Sequence, residues 1–395
     1  MGDYSAIRPG TDLSQHARDL LRVHHAVIGG GRPPHRPRAL VERSWSRVLG
    51  FGLDPDNENR RDPMSFENVE HRRRESPLSL VIGDLIRVIE SVADASHFLM
   101  VVTDADGVIL WREGAASVRR RADDLGFSEG VFWTESTVGT NAIGTALVEA
   151  APVQLFSAEH FEQAQHAWYC TAHPIHDPRT GELLGIVDVS GPALTLHPAI
   201  AALVETAVRL AEAQLWRHHA ARLERLRRSA EHVVATAQGP LLIVDDHGWV
   251  AHNTGVATRD RIGVPRPDTA LAVPGMGLCL PERLAEGWIV RPAGVQRGIR
   301  AKLDLTDAPL LEVRGEGAPW IAPLTRRHAQ ILTLLHSAGP DGLSASRLSR
   351  LLYGDDQHVV TVRAEVSRLR RAIGALVSTN PYRLADGVVL ELAVS

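Results

Sequence analysis

A multidomain α+β chain is predicted by three observations. The chain has 395 residues, its apolar patterning switches repeatedly between strand and helix periods, and it closes on three short helical segments followed by a strand-turn-strand signal. At about 150 residues per domain the length implies two or three domains. Apolar residues make up 44% and charged residues 23%, which suits packed cores and is unlike a disordered or collagen-like composition. The 43 Lys+Arg against 47 Asp+Glu give a formal charge of −4, which excludes a uniformly basic nucleic-acid coat, so nucleic-acid binding must be local. Cys170 and Cys279 form neither a disulfide framework nor a CxxC redox or zinc pattern. The first residues lack a basic segment followed by an apolar run, and no stretch approaches about 18 uncharged apolar residues. A soluble, cytoplasmic chain with no membrane partner is expected.

Residues 1–75 alternate helix-compatible stretches with breakers such as GGGRPPHRPR and end in the charged run His71 to Glu75. They are expected to form a helical extension with little core of its own. Leu78, Val81, Ile82, Leu85, Ile86 and Ile89 recur at helical spacing, which predicts a helix over 78–92. Phe98 to Val102 then reads as a buried strand, Asp104 to Gly107 as a tight turn and Val108 to Trp111 as the return strand. Further strands are expected at 153–156, 168–172 and 183–189, the last two joined across the turn Asp177-Pro178-Arg179-Thr180-Gly181. Strands joined by hairpin turns and interspersed with helices predict an antiparallel α+β domain over 76–215.

From Pro198 to Ala237 a long helix is expected, with Leu203, Ala207, Leu210, Leu223, Leu226, Ala230 and Val233 as its apolar stripe. The stripe breaks near Trp216 to Arg222, which marks 216–237 as a linker. Leu241 to Val250 repeats the earlier design of apolar strand, Asp-x-x-Gly turn and second strand. This weak internal repeat predicts a second, smaller α+β domain over 238–319.

The block 320–395 carries the strongest functional signal. Thr325 and Ser344 are candidate caps for helices with Ile331, Leu334 and Leu335, and with Leu348, Leu351 and Leu352, as their stripes. A third helix is expected over 359–373, and Tyr382 to Leu384 and Val388 to Leu390 as a hairpin across Ala385-Asp386-Gly387. Three helices and a hairpin form a winged helix-turn-helix, whose third helix enters the DNA major groove. At 100° per residue, Val362, Val366, Leu369 and Ile373 share the core face, while Thr361, Ala364, Ser367, Arg368 and Arg371 point away and Arg363 and Arg370 flank them. Small residues permit close approach, and arginine forks onto guanine edges or phosphates. From Trp320 to Ser395 nine Arg stand against six Asp+Glu, a net of +3. The competing reading is a solvated helix in a module that docks a protein, which would make the chain a signalling adaptor.

Thr361-Val362-Arg363, Ser367-Arg368-Leu369-Arg370-Arg371 and Pro381-Tyr382-Arg383-Leu384 resemble the recognition helix and wing of OmpR-type winged-helix transcription factors. The resemblance implies binding to double-stranded DNA, with Arg383 as a wing contact. It departs from that family in lacking the glycine-rich approach to the wing tyrosine, and no phospho-acceptor receiver domain is recognisable.

Residues 132–147, together with Ser44-Trp45-Ser46-Arg47, Gly52-Leu53-Asp54-Pro55, Ala158-Glu159-His160-Phe161 and Pro174-Ile175-His176-Asp177-Pro178, resemble the sensory half of acetoin-catabolism-regulator-type activators. That family implies a GAF domain, a small-molecule sensor fold, and the strand-turn-strand repeat then suggests a PAS-like fold for 238–319. Such activators usually carry a central ATPase, but this sequence contains no Gly-x-x-x-x-Gly-Lys-Ser/Thr phosphate loop and its single lysine, Lys302, lies in no such context. The expectation is a regulator that wires the sensor to a winged helix without that motor, with a homodimer as the DNA-binding form and RNA polymerase as a candidate further partner.

The GAF resemblance names Trp133, Glu135, Asn141, Thr145 and His160 as ligand candidates, an apolar wall with a few fixed polar groups. Glu135 reads equally as a helix-terminus carboxylate. His160, His166, Cys170, His173 and His176 cluster in sequence, but their spacing fits no compact zinc pattern, and a histidine-rich surface is expected. Cys170, beside Trp168 and Tyr169, reads as a packing thiol rather than a nucleophile. Neither a cofactor nor enzymatic activity is expected.

Overall fold

The computed structural model describes residues 5–56, 61–92, 98–257, 260–292, 299–314 and 319–393, and the chain divides into two compact units, Met1–His218 and His219–Ser395. In the first, helices α1 (Leu13–Ile28), α2 (Ala39–Val48), α3 (Phe66–Glu75) and α4 (Ile82–Val92) precede the strands β1 (Leu99–Thr103) and β2 (Ile109–Gly114). After α5 (Ala116–Asp123), α6 (Glu135–Val138) and α7 (Ala142–Glu149) come β3 (Val153–Phe156), β4 (Trp168–His176) and β5 (Leu183–Pro192), and then α8 (Ala199–Ser229), which runs on into the second unit.

The five strands form one antiparallel sheet in the order β2-β1-β5-β4-β3. Strand alternation sends Val101, Leu155 and Ile186 to one face and Val102, Val187 and Val189 to the other. The second face is covered by Leu85 and Ile89 of α4 and by Val204, Val208 and Ala211 of α8. The first face is covered by α7 and, against expectation, by the N-terminal extension: Leu40, Val41, Trp45 and Val48 of α2 belong to this core, with Trp45 only 1% exposed. Two ion pairs fix α2 and its approach there, Arg38 to Glu159 at 2.7 Å and Arg47 to Glu135 at 2.8 Å. The extension therefore has no separate core because it completes the sensor's. Of the predicted stripe on α8, Ala207 and Leu226 are buried and Leu210 is exposed, while Val204, Val208, Ala211, Leu215 and His219 are also buried.

In the second unit, α9 (Glu231–Thr236) is followed by β6 (Leu241–Val244), β7 (Val250–Thr254), β8 (Leu271–Val273), β9 (Gly277–Arg283) and β10 (Trp288–Pro292). These strands form an antiparallel sheet ordered β7-β6-β10-β9-β8, the first unit's order strand for strand. The repeated turn has one mechanism. Asp104 Oδ1 accepts from the backbone of Asp106 and Val108 at 3.0 and 2.9 Å, and Asp245 Oδ1 from that of His247 and Trp249 at 2.9 and 2.8 Å. Among the described residues of 238–319 there is no helix. The end of α8 supplies that layer, as Leu226 and Ala230 bury against Leu241, Ile243 and Ile289.

The remaining elements are β11 (Ile299–Asp304), β12 (Leu310–Arg314), β13 (Trp320–Pro323), α10 (Arg326–Ala338), α11 (Ala345–Tyr353), α12 (Val359–Ile373), β14 (Val377–Thr379), β15 (Tyr382–Leu384) and β16 (Val388–Ala393). The two predicted caps form: Thr325 Oγ1 accepts from His328 N and Ser344 Oγ from Arg347 N, each at 3.1 Å. Leu351, expected in the stripe of α11, is exposed. The predicted hairpin is replaced by another pairing. β15 pairs with β14, and β16 runs parallel to β11 in a sheet ordered β13-β12-β11-β16. The Asp386-Gly387 turn reverses the chain without choosing its partner, and the register of Leu390 and Leu392 with Ala301 and Leu303 buries an apolar row there. The expected boundary at 319/320 thus falls inside one sheet.

Truncating a fully buried tryptophan removes its transfer energy and leaves a cavity. Trp45→Ala is expected to destabilise the N-terminal unit by about 3–5 kcal/mol, read as a lower denaturant midpoint for that unit's transition, with the C-terminal unit's transition unmoved.

Candidate nucleic-acid interface and sensor core

The interface candidate is built on α12. Val362, Val366, Leu369 and Ile373 are all buried in a core shared with Ile331 and Leu335 of α10 and Leu348 of α11. The turn before the helix is fixed by Ser349, whose hydroxyl donates to Asp355 O at 2.8 Å and accepts from His358 N at 3.2 Å. Anchored on that side, α12 exposes Thr361, Arg363, Ser367, Arg368, Arg370 and Arg371, with Ala364 partly exposed among them. Arg368 is paired with Glu365, and Arg370 Nε donates to Val377 O at 3.0 Å. Arg383 lies on β15, partly buried and paired with Asp386. All eight positions expected to face nucleic acid therefore belong to one module, seven on α12 and one on the β14–β15 hairpin. Alongside α12 runs a groove of about 560 Å³ whose opposite wall is the segment 263–272. Arg266 on that wall was not singled out in the sequence, where it sits in a Gly- and Pro-rich stretch without periodicity.

In the first unit the five ligand candidates are all buried. Glu135 accepts from Ser44 at 2.6 Å, Thr145 at 2.9 Å and both Arg47 Nε and Nη2 at 2.8 Å. Arg47 is held above its ordinary range chiefly by the hydrogen bond to Glu135. Asn141 caps α7 through Gly144 N at 2.8 Å and donates to Gly139 O at 2.9 Å. Trp133 packs on Phe127 and under the Arg61 guanidinium, 4.6 Å from its ring centre. Glu135 and Thr145 thus share one polar knot with Ser44 and Arg47 between α2, α6 and α7, while Asn141 caps α7.

His160 belongs to a different group, in the sheet's core. It is wholly buried rather than part of a histidine-rich surface. Its Nδ1 lies 2.9 Å from Ser157 O and its Nε2 3.3 Å from Cys170 Sγ, Ser190 Oγ is 3.1 Å from the same sulfur, and Ser190 also contacts Asp188. Desolvation drives the group toward neutrality: His160 falls to about 4, Asp188 is pushed up to about 7 and the Cys170 thiol rises well above its usual range. Asp188 Oδ1 is buried without a hydrogen-bond partner. The signal that points to Asp188 is visible in retrospect, a carboxylate within the apolar run Leu183 to Val189. Among the described residues no group of three or more His, Cys, Asp or Glu is placed to hold a metal ion, and no helix is long and apolar enough to cross a membrane.

Comparison with known proteins places this architecture. The chain is 31% identical over 387 residues to the uncharacterized 47.3 kDa protein in the thcA 5' region of Rhodococcus erythropolis, covering 96% of this chain and 72% of that one. It belongs to that protein's family. Residues 27–213 also match the family described as the N-terminal domain of MimR. The acetoin dehydrogenase operon transcriptional activator AcoR of Bacillus subtilis is 32% identical over 200 residues, 50% of this chain and 33% of the activator. The propane 2-monooxygenase operon transcriptional activator MimR of Mycolicibacterium smegmatis is 28% identical over 192 residues, 48% of this chain and 32% of the activator. The chain thus spans about a third of the length of these two activators.

The state of Asp188 sets a pH dependence. Its folded pKa of about 7 lies above the unfolded value of about 3.9, so its contribution to stability is fully present below the unfolded value and is lost as pH rises to the folded one. Asp188→Asn keeps the shape without the titration. Relative to wild type, the variant is expected to gain stability between about pH 4 and 7, by up to about 1.4 kcal/mol per pH unit. Denaturant midpoints across that window measure it, and a constant difference would contradict it.

Proposed function

We propose that the chain is a bacterial transcriptional regulator in which the N-terminal unit senses a small molecule and the C-terminal winged helix binds double-stranded operator DNA. The observation that carries this reading is α12, whose apolar stripe is locked in a three-helix core while its arginines and small residues are exposed. Ala364 and Ser367 allow base edges to approach, Arg368 and Arg371 reach outward to them, and Arg363, Arg370 and Arg383 suit the phosphates on either side. The kinship of the N-terminal region with named operon activators supports the regulatory half.

The sensor's ligand lies on the α7 side of the sheet, near Trp133, Glu135, Asn141, Thr145 and His160. The polar groups of the last four are engaged within the core, so an effector acts there by exchanging those bonds. Asp188 Oδ1 is the acceptor on that face already desolvated and unpaired, which favours an effector bearing a hydrogen-bond donor. The protein works as a homodimer reading two half-sites, with Leu210 on the exposed side of α8 as part of the dimer contact. Effector binding biases DNA affinity only to the extent that it prefers one of two states.

Fluorescence anisotropy with genomic fragments, measured over a range of salt, tests the DNA reading. Wild type is expected to lose affinity steeply as salt rises through counterion release, and Arg363→Ala to flatten that slope. Arg368→Ala is expected to cost about 1–3 kcal/mol at one base position and relax sequence preference, while Arg363→Ala weakens operator and random DNA alike. A shallow wild-type slope would favour the adaptor instead.

A further inference from the structure

The groove beside α12 has a second wall, outside α12, that the recognition scheme above does not use. One wall is a flank of the helix: Arg363, Ser367, Arg370 and Gly374 fall within about 60° of one another at 100° per residue, displaced from the outward face that carries Ala364 and Arg368. The other wall is the segment 263–272 of the smaller domain, which brings Arg266 and Thr269 to the same space. Four arginines, Arg266, Arg363, Arg370 and Arg371, line it, and none of its lining residues is acidic, in a chain whose formal charge is −4. Among the described residues the side chains of Arg266, Arg363 and Arg371 have neither a hydrogen bond nor an ion pair, whereas Arg368 and Arg383 on the same module have carboxylate partners. Like charges gathered without counter-charges repel one another, and an anion between them relieves that repulsion.

The second wall is built into the fold. Ala375 N donates to Ala270 O at 2.8 Å, Ala270 forms a bridge with Gly374, and Ala270 is itself buried in the winged-helix core. Gly374 sits at a φ of +67°, and a Cβ there would meet Ala270 O at 2.2 Å, so glycine is what lets the segment close on the end of α12.

We propose that this groove is a phosphate site, formed jointly by α12 and the smaller domain, and that it takes a phosphodiester of the DNA backbone when α12 enters the major groove. The flanks of a helix seated in the major groove face the sugar-phosphate strands, and here one flank has a second arginine-bearing wall opposite it. The proposal rests on the DNA reading for the source of the phosphate. A free phosphate or phosphorylated metabolite is the other source with the same chemistry.

Arg266 is exposed and lies outside α12, so its substitution tests the groove without removing the recognition helix. With the full-length chain and genomic duplexes, Arg266→Ala is expected to lower affinity about 3- to 10-fold on operator and random DNA alike and to reduce the salt slope by about one, with Arg266→Lys retaining most of the slope. Unchanged affinity and slope in Arg266→Ala, while Arg368→Ala, outside the groove, still relaxes sequence preference, would overturn the groove and leave the DNA reading standing. Inorganic phosphate, titrated at matched ionic strength, separates the sources: heat of binding in wild type that is absent from Arg266→Ala assigns the groove to a free phosphate, whereas phosphate acting only as ionic strength assigns it to the backbone. If wild type binds neither duplex nor inorganic phosphate, both readings fall.

Discussion

A helix of 15 residues presents arginines to a partner only if its apolar side is held elsewhere, and everything at the carboxyl end of this chain follows from that constraint. Val362, Val366, Leu369 and Ile373 are locked against α10 and α11, which fixes the rotation of α12 about its axis and so decides which residues face solvent. The caps at Thr325 and Ser344 and the Ser349 link into α12 fix the ends of the bundle. Without that burial the same arginines would be a cluster of charge with no defined spacing.

The two units reuse one design at different scales. Each is organised around an antiparallel five-stranded sheet in the same order, opened by an aspartate-closed turn between its first two strands. They differ in what covers the sheet. In the first unit α2 from the N-terminal extension seals one face, and its ion pairs to Glu135 and Glu159 place charged groups at the edge of the core. In the same unit desolvation favours the neutral forms of His160, Cys170 and Asp188.

Legibility in the sequence followed the range of the interaction concerned. The helices α10, α11 and α12, the caps of the first two and the outward face of α12 could be read because each depends on residues within four positions of one another. The repeated Asp-x-x-Gly turns could be read for the same reason. Glu135, Asn141 and Thr145 were expected around a ligand, yet the structure gives them partners in α2, α6 and α7, a knot that spacing does not reveal because Ser44 and Glu135 are 91 positions apart. The stripe of α8 was legible only in part, at Ala207 and Leu226 but not at Leu210, because a helix with small and apolar residues on several sides leaves its rotation to whatever it packs against.

By itself the sequence determined the local grammar of this protein: periodicity, caps, turns and the sorting of arginine from aliphatic residues around one helix, all set by short-range sterics and solvation. Only the tertiary structure decided which strand β16 joins, that the extension completes the sensor core, that a lone carboxylate faces a thiol and an imidazole, and that Arg266 comes to lie opposite α12. Those outcomes depend on pairing surfaces far apart in the chain, where burial of apolar area selects the partner and no neighbouring residue records the choice.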